Sequence, residues 1–123
     1  MQPTVLIVDD HPSFRRFARR LLEADGFIVV GEAADGPSSL AACRAFRPDI
    51  VLLDVLLPGS DGFAVADELA RAFVGQADGP TVVLTSSRDA AELAVRLARS
   101  SAHGFLAKAD LTGAALAAVV ADP

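Results

Sequence analysis

The sequence predicts an α/β fold built on a five-stranded parallel sheet, doubly wound in (βα)5 order with helices on both faces. Three observations lead there. Short apolar runs rich in branched residues return along the 123 residues, spaced by about 22 to 28 positions. The stretches between them carry apolar residues at helical spacing. The runs are apolar throughout rather than alternating, a pattern that suits strands covered on both faces. In such a fold, right-handed crossovers gather functional groups at the carboxyl ends of the strands, beside the point where strand order reverses.

The first run, Val5-Leu6-Ile7-Val8, ends at Asp9-Asp10. Pro12 suits the first turn of the helix that follows. Phe14, Phe17, Ala18, Leu21 and Leu22 fall at i, i+3, i+4, i+7 and i+8, forming one stripe that packs on a sheet. Phe27 to Val30 predicts the second strand, and Pro37 opens the second helix. Ile50 to Leu53 predicts the third strand, followed at once by Asp54, with Asp61 as cap of the third helix. Val82 to Leu84 predicts the fourth strand and Thr85 ends it; Ser87 caps a fourth helix with the stripe Ala90, Leu93, Ala94, Leu97 and Ala98. Phe105-Leu106 predicts the fifth strand, Lys108 follows it, and Asp110 caps the fifth helix. That helix has the stripe Leu111, Ala114, Ala115, Ala118 and Val119, and Leu116 and Val120 extend its apolar character to another side. It either tolerates scattered apolar surface or contributes to an interface such as a homodimer.

Composition bounds the function. With 52% apolar and 22% charged residues the chain supports one core and is expected to form one domain over residues 1–123. The lone Cys43 has no internal disulfide partner, and Met1-Gln2-Pro3-Thr4 does not open an export signal, so a cytoplasmic location is expected. No apolar run approaches the ~18 residues of a membrane helix. A net charge of −5 disfavours direct nucleic-acid binding by this segment and suits capture of a cation.

A parallel sheet brings Asp9, Asp10 and Asp54 to one edge although they are far apart in sequence. Any one of them alone reads as a helix cap or a solvated strand end. Together they oppose one another's ionisation, a conflict that a hard divalent cation such as Mg²⁺ relieves by taking oxygen ligands. Thr85 and Lys108 add a hydroxyl and an ammonium at the same edge, although singly they read as a strand threonine and a lysine lying over Phe105. The set suits a phosphoryl group carried on a carboxylate, with metal and ammonium neutralising its oxygens.

At this point the chain resembles the receiver domain of bacterial two-component response regulators, the CheY-like, flavodoxin-like three-layer sandwich. The resemblance rests on Leu6-Ile7-Val8-Asp9-Asp10, on Leu53-Asp54-Val55-Leu56-Leu57-Pro58-Gly59-Ser60-Asp61-Gly62, on Val83-Leu84-Thr85-Ser86 and on Gly104-Phe105-Leu106-Ala107-Lys108. It implies that Asp54 accepts a phosphoryl group from a sensor histidine kinase. It also implies that Asp10, Asp54 and the Leu56 carbonyl ligate Mg²⁺ directly, with Asp9 helping through water. Thr85 and Lys108 would hold the phosphate, with Ser86 as an alternative hydroxyl because one extra residue separates Thr85 from Lys108. Phe105 occupies the place of the family's switch aromatic, so that helix 4, strand 5 and helix 5 become the output face, for a homodimer or an output domain.

Two departures carry expectations. Ala109 stands where the family commonly has proline, so an ordinary trans peptide is expected after Lys108. Leu56 and Ser87 stand at the positions that tune acyl-phosphate lifetime, and neither offers a carboxylate or amide to orient water, so slow autodephosphorylation is expected. His11 and His103 read as structural, and Arg15, Arg16, Arg19 and Arg20 as a solvated face of helix 1 that could also meet a kinase. The alternatives are an aspartate-dependent phosphatase, which would want a second Asp where Leu56 stands, a flavin module, for which Asp9-Asp10 would be hostile to phosphate, and a degenerate receiver acting only as an interaction module.

Overall fold

The computed structural model describes residues 2–77, 79–88 and 90–122. In chain order the elements are β1 (Thr4–Val8), α1 (Pro12–Ala24), β2 (Ile28–Ala33), α2 (Gly36–Phe46), β3 (Ile50–Asp54), β4 (Leu56–Leu57), β5 (Ser60–Asp61), α3 (Gly62–Ala72), β6 (Thr81–Ser86), α4 (Ala94–Arg99), β7 (Gly104–Ala107), a 3₁₀ turn (Lys108–Asp110) and α5 (Gly113–Ala121). The five long strands form one parallel sheet in the order β2-β1-β3-β6-β7, with order reversing beside β1 and β3. These are the five strands expected. The sequence reading overlooked β4 and β5, a two-residue antiparallel ladder closed by Pro58-Gly59, where Gly59 takes the positive φ of 71° that its turn requires.

Strand alternation divides the core in two. Leu6, Val8, Val51, Leu53, Val82 and Leu84 face α2 and α3, whereas Val5, Ile7, Ile50, Leu52, Val83 and Leu106 face α1 and α5. Val5–Val8 of β1 and Ile50–Leu53 of β3 are buried on both sides and apolar throughout. Among the described residues no helix is long and apolar enough to cross a membrane.

Helix starts follow side-chain chemistry. Pro12 and Pro37 lie in the first turns of α1 and α2, and Asp61 caps α3 by accepting the Ala64 N–H at 2.8 Å. Asp35 caps α2 in the same way through Ser38. Two expected caps are corrected. Thr112 rather than Asp110 caps α5, accepting the Ala115 N–H at 2.9 Å, because Lys108–Asp110 is already committed to the 3₁₀ turn. α4 is only Ala94–Arg99 and does not start at Ser87; Leu93 is buried and Leu97 half-buried, while Ala90, Ala94 and Ala98 are exposed. The α5 stripe is also corrected. Its anchor is the fully buried Leu116, with Ala115, Val119 and Val120 beside it, while Ala114 and Ala118 face solvent. The Gly113 N–H donates to Asp25 Oδ2 at 2.8 Å, and this tie from the end of α1 sets the rotation of α5.

Candidate functional site

The site is assembled where β1, β3, β6 and β7 end. Asp9 leaves β1 with its N–H donating to the Ala33 carbonyl at 3.0 Å, while its own carbonyl accepts from Arg15 Nη1 at 2.6 Å. Arg15 is held in turn by Glu32, so α1 and β2 fix the Asp9 backbone from both sides. Asp9 is fully buried: Oδ1 accepts the His11 N–H at 2.8 Å, and Oδ2 lies 2.6 Å from Lys108 Nζ. Asp54 ends β3 and is 3% exposed; Oδ1 accepts the Leu56 N–H at 3.1 Å and Oδ2 accepts from Lys108 Nζ at 3.1 Å. One ammonium therefore bridges the two buried carboxylates. Asp10 lies at the rim, its Oδ1 3.2 Å from His11 Nδ1.

Register decides which hydroxyl shares this edge. Thr85 pairs with Asp54 across β3 and β6, so the two side chains leave the same face of the sheet, the face of α1 and α5. Its hydroxyl is buried and has no hydrogen-bond partner. Ser86 points to the opposite face, where its Oγ accepts the Arg88 N–H at 3.0 Å. Phe105 pairs with Leu84 and is half-buried against the α2/α3 core, so it too stands across the sheet from Thr85.

Charge and burial compete at each group. Burial pushes the Asp9 carboxyl up, but Lys108 and the His11 N–H outweigh it and hold Asp9 below the usual carboxylate range. Burial raises Asp54 as well, and the negative charge of Asp9 adds to that rise; the Leu56 N–H and Lys108 oppose it without reversing it. For Lys108 burial favours the neutral amine, yet hydrogen bonding and attraction to the two aspartates keep it above its ordinary value and charged.

One oxygen or nitrogen from each of Asp9, Asp10, His11 and Asp54 lies within 4.8 Å of the others. Carboxylates this close, with a buried threonine hydroxyl lacking a partner beside them, fit a hard divalent cation such as Mg²⁺ and an oxyanion. Leu56 presents its backbone here through the N–H that donates to Asp54 Oδ1, and the residue itself is exposed. Gly62 packs directly beneath: its N–H donates to the Val55 carbonyl at 2.8 Å, and a Cβ there would fall 2.2 Å from the Asp54 carbonyl oxygen.

Three readings of the sequence are corrected here: His11, read as structural, Phe14, read only as part of the α1 stripe, and Arg15, read as part of a solvated face, all border the site. His11 adjoins both Asp9 and Asp10, and Lys108 Nζ lies 4.3 Å from the centre of the Phe14 ring rather than over Phe105. His103 is remote, its ring against the Val119 carbonyl. The arginine run divides as well, with Arg15 and Arg19 engaged by Glu32 and only Arg16 and Arg20 left as an exposed pair. The peptide after Lys108 is trans, as expected for Ala109; there is no cis bond among the described residues.

Comparison with known proteins bears on the family and the fold. The chain is 41% identical over 106 residues to the "Probable transcriptional regulatory protein NarL" of Mycobacterium tuberculosis, covering 85% of this chain and 47% of that protein. It is 37% identical over 107 residues to the nitrate/nitrite response regulator protein NarP of Escherichia coli, with 85% and 47% covered. The chain thus spans about half the length of the curated relatives it matches. Among solved structures, the signal receiver domain of NarL from Mycobacterium tuberculosis superposes with a TM-score of 0.80 at 33% identity, covering 98% of both chains. Residues 5–120 match the response regulator receiver domain, and the chain belongs to that family, the phosphoacceptor signalling domains of two-component systems.

Proposed function

We propose that Asp54 is the phosphoacceptor of this domain, taking a phosphoryl group from the phosphohistidine of a sensor histidine kinase. The observation that carries this reading is the shared ammonium. Lys108 reaches Asp9 and Asp54 together, while the Thr85 hydroxyl, on the same sheet face, has no partner inside the protein. Asp54 is the carboxylate at the centre of that arrangement.

In the reaction a carboxylate oxygen of Asp54 attacks phosphorus, the bond from phosphorus to the kinase imidazole nitrogen breaks, and its electron pair stays on that nitrogen. No general base is needed, because an ionised carboxylate is already the nucleophile. Lys108 follows the transferred charge: its ammonium, now 3.1 Å from Asp54, pairs with an oxygen of the new phosphoryl group, and Thr85 donates its hydroxyl to another. Asp10, Asp54 and the Leu56 carbonyl, with Asp9 acting through water, would hold Mg²⁺, which when bound would supply the remaining neutralisation of charge.

The proposed output face is α4, β7 and α5. α4 buries none of its residues and β7 is an edge strand, so this side is weakly anchored and free to repack when Thr85 is drawn toward phosphate. Phe105 is the aromatic that repacks with it. The partner engaged there is a second copy or an output domain, and sedimentation with and without a phosphoryl mimic reads the first of these. Leu56 and Ser87 are both exposed and offer no amide or carboxylate to an attacking water, which supports slow autodephosphorylation.

Incubation with acetyl phosphate tests the acceptor. The wild type should gain one acid-stable phosphoryl group only when Mg²⁺ is present, and a folded Asp54→Asn should gain none. Stoichiometric labelling of Asp54→Asn would overturn the assignment.

A further inference from the structure

We infer that His11 is a nitrogen ligand of the acidic site, so that this receiver takes borderline divalent ions such as Ni²⁺ and Zn²⁺ as well as Mg²⁺. The inference rests on the reading of that edge as a metal site and adds a donor to it. The His11 ring is turned inward at its Nδ1, which lies 3.0 Å from Asp9 Oδ1 and 3.2 Å from Asp10 Oδ1. An octahedral ion about 2.1 Å from its ligands sets neighbouring donors about 3.0 Å apart, so the 3.2 Å between His11 Nδ1 and Asp10 Oδ1 suits adjacent ligands of one ion, while the hydrogen-bond contact with Asp9 Oδ1 steadies the ring over the site. Asp54 completes a set whose members all lie within 4.8 Å, a span that small side-chain movements reduce to the reach of a single ion.

A second observation points independently to a ligand at this edge. The Thr85 hydroxyl is 1% exposed, lacks any partner, and leaves the same sheet face as Asp9 and Asp54. The His11 side chain is 64% exposed, so the ring can rotate about its side-chain bonds toward an ion without disturbing the core. Its backbone N–H is bonded to Asp9 Oδ1 at 2.8 Å, a tie that does not involve the ring.

Donor chemistry then sets the selectivity. Carboxylates alone favour Mg²⁺ and Ca²⁺, whereas one imidazole added to carboxylates favours the later first-row ions. Competing soft sites are few. Cys43 is fully buried and its thiol is pushed up to about 11 by that burial, and His103, the other of two histidines, sits apart with its ring on the Val119 carbonyl.

Calorimetric titration of the metal-free domain with MgCl₂ and, separately, NiCl₂ tests this, alongside His11→Gln and the control His103→Gln. His11→Gln should weaken Ni²⁺ binding by about tenfold or more while moving Mg²⁺ affinity less than about twofold. In the wild type the His11 ring resonances should show Ni²⁺-induced paramagnetic broadening well before those of His103. Equal Ni²⁺ affinity in His11→Gln and wild type, or Ni²⁺ binding lost only in His103→Gln, would overturn the role of His11 while leaving Mg²⁺ binding intact. Failure of the wild type to bind either ion would instead overturn the metal site beneath it.

Discussion

Replacing Lys108 by methionine removes the one ammonium shared by two buried carboxylates and keeps most of the apolar stem. At an effective dielectric near 20, each contact at about 3 Å carries roughly 5 kcal/mol of attraction, much of it offset by the desolvation of the charges involved. Breaking a buried pair by removing one partner costs about 3–5 kcal/mol in general, and the 17% exposure of the lysine places this case at the lower end, near 3 kcal/mol. For a domain of this size that corresponds to a fall of roughly 10 °C in Tm. The loss should depend on pH with a definite sign. Burial opposes the ionisation of Asp9, and Lys108 is the foremost of the groups that reverse this and hold Asp9 low. In the wild type Asp9 therefore contributes stability that is complete above the unfolded carboxylate value and is lost as pH falls through the lowered folded one. Lys108 is held above its ordinary 10.5, so its contribution is fully present below that value. The gap between wild type and Lys108→Met should be widest near pH 7 and already narrower at pH 4, because the buried carboxyls that have lost their ammonium take up protons above the ordinary carboxylate value of 3.8, whereas wild-type Asp9 keeps its charge below it. Added Mg²⁺ should narrow it at pH 7, since the carboxylates freed of the ammonium bind the ion more tightly and tighter binding to the folded state stabilises it more. Urea unfolding at both pH values, with and without Mg²⁺, is the assay. A loss below about 1 kcal/mol, equal at pH 7 and pH 4, would show that Lys108 does not hold the carboxylates together.

Three further outcomes are expected. Thr85→Val should stabilise the metal-free domain by about 1 kcal/mol, since it removes a buried hydroxyl without a partner, whereas Ser86→Ala should destabilise it by a similar amount through loss of the bond to the Arg88 N–H; paired urea titrations give both signs. Gly62→Ala should lower stability by about 3 kcal/mol and suppress acetyl phosphate labelling, because the added methyl meets the backbone of Asp54 and Val55 rather than a movable side chain; thermal melts and labelling read the two effects. Cys43, buried with its thiol raised to about 11, should resist Ellman's reagent at neutral pH and react only at the rate of unfolding.

How far the site could be read in advance depended on whether a residue belongs to a strand. Asp9, Asp54, Thr85 and Lys108 each terminate or follow an apolar run, and parallel strands must bring such ends to one edge, so topology alone assembles them. Thr85 could be separated from Ser86 only once its pairing with Asp54 was known, because a shift of one residue sends the hydroxyl to the other face. His11 read as structural and Phe14 as a stripe residue because the turn into α1, not any sequence period, points one at Asp9 and sets the other beneath Lys108. The amino-acid pattern by itself determined the five strands of the main sheet, their burial on both faces and the convergence of acidic ends, since these follow from local hydrophobicity and chain direction. Only the tertiary structure decided the rotation of α5, the shortness of α4 and the bridging position of Lys108. Those depend on contacts such as Asp25 with Gly113 and Lys108 with Asp9, formed between segments far apart in sequence, and no local period encodes them.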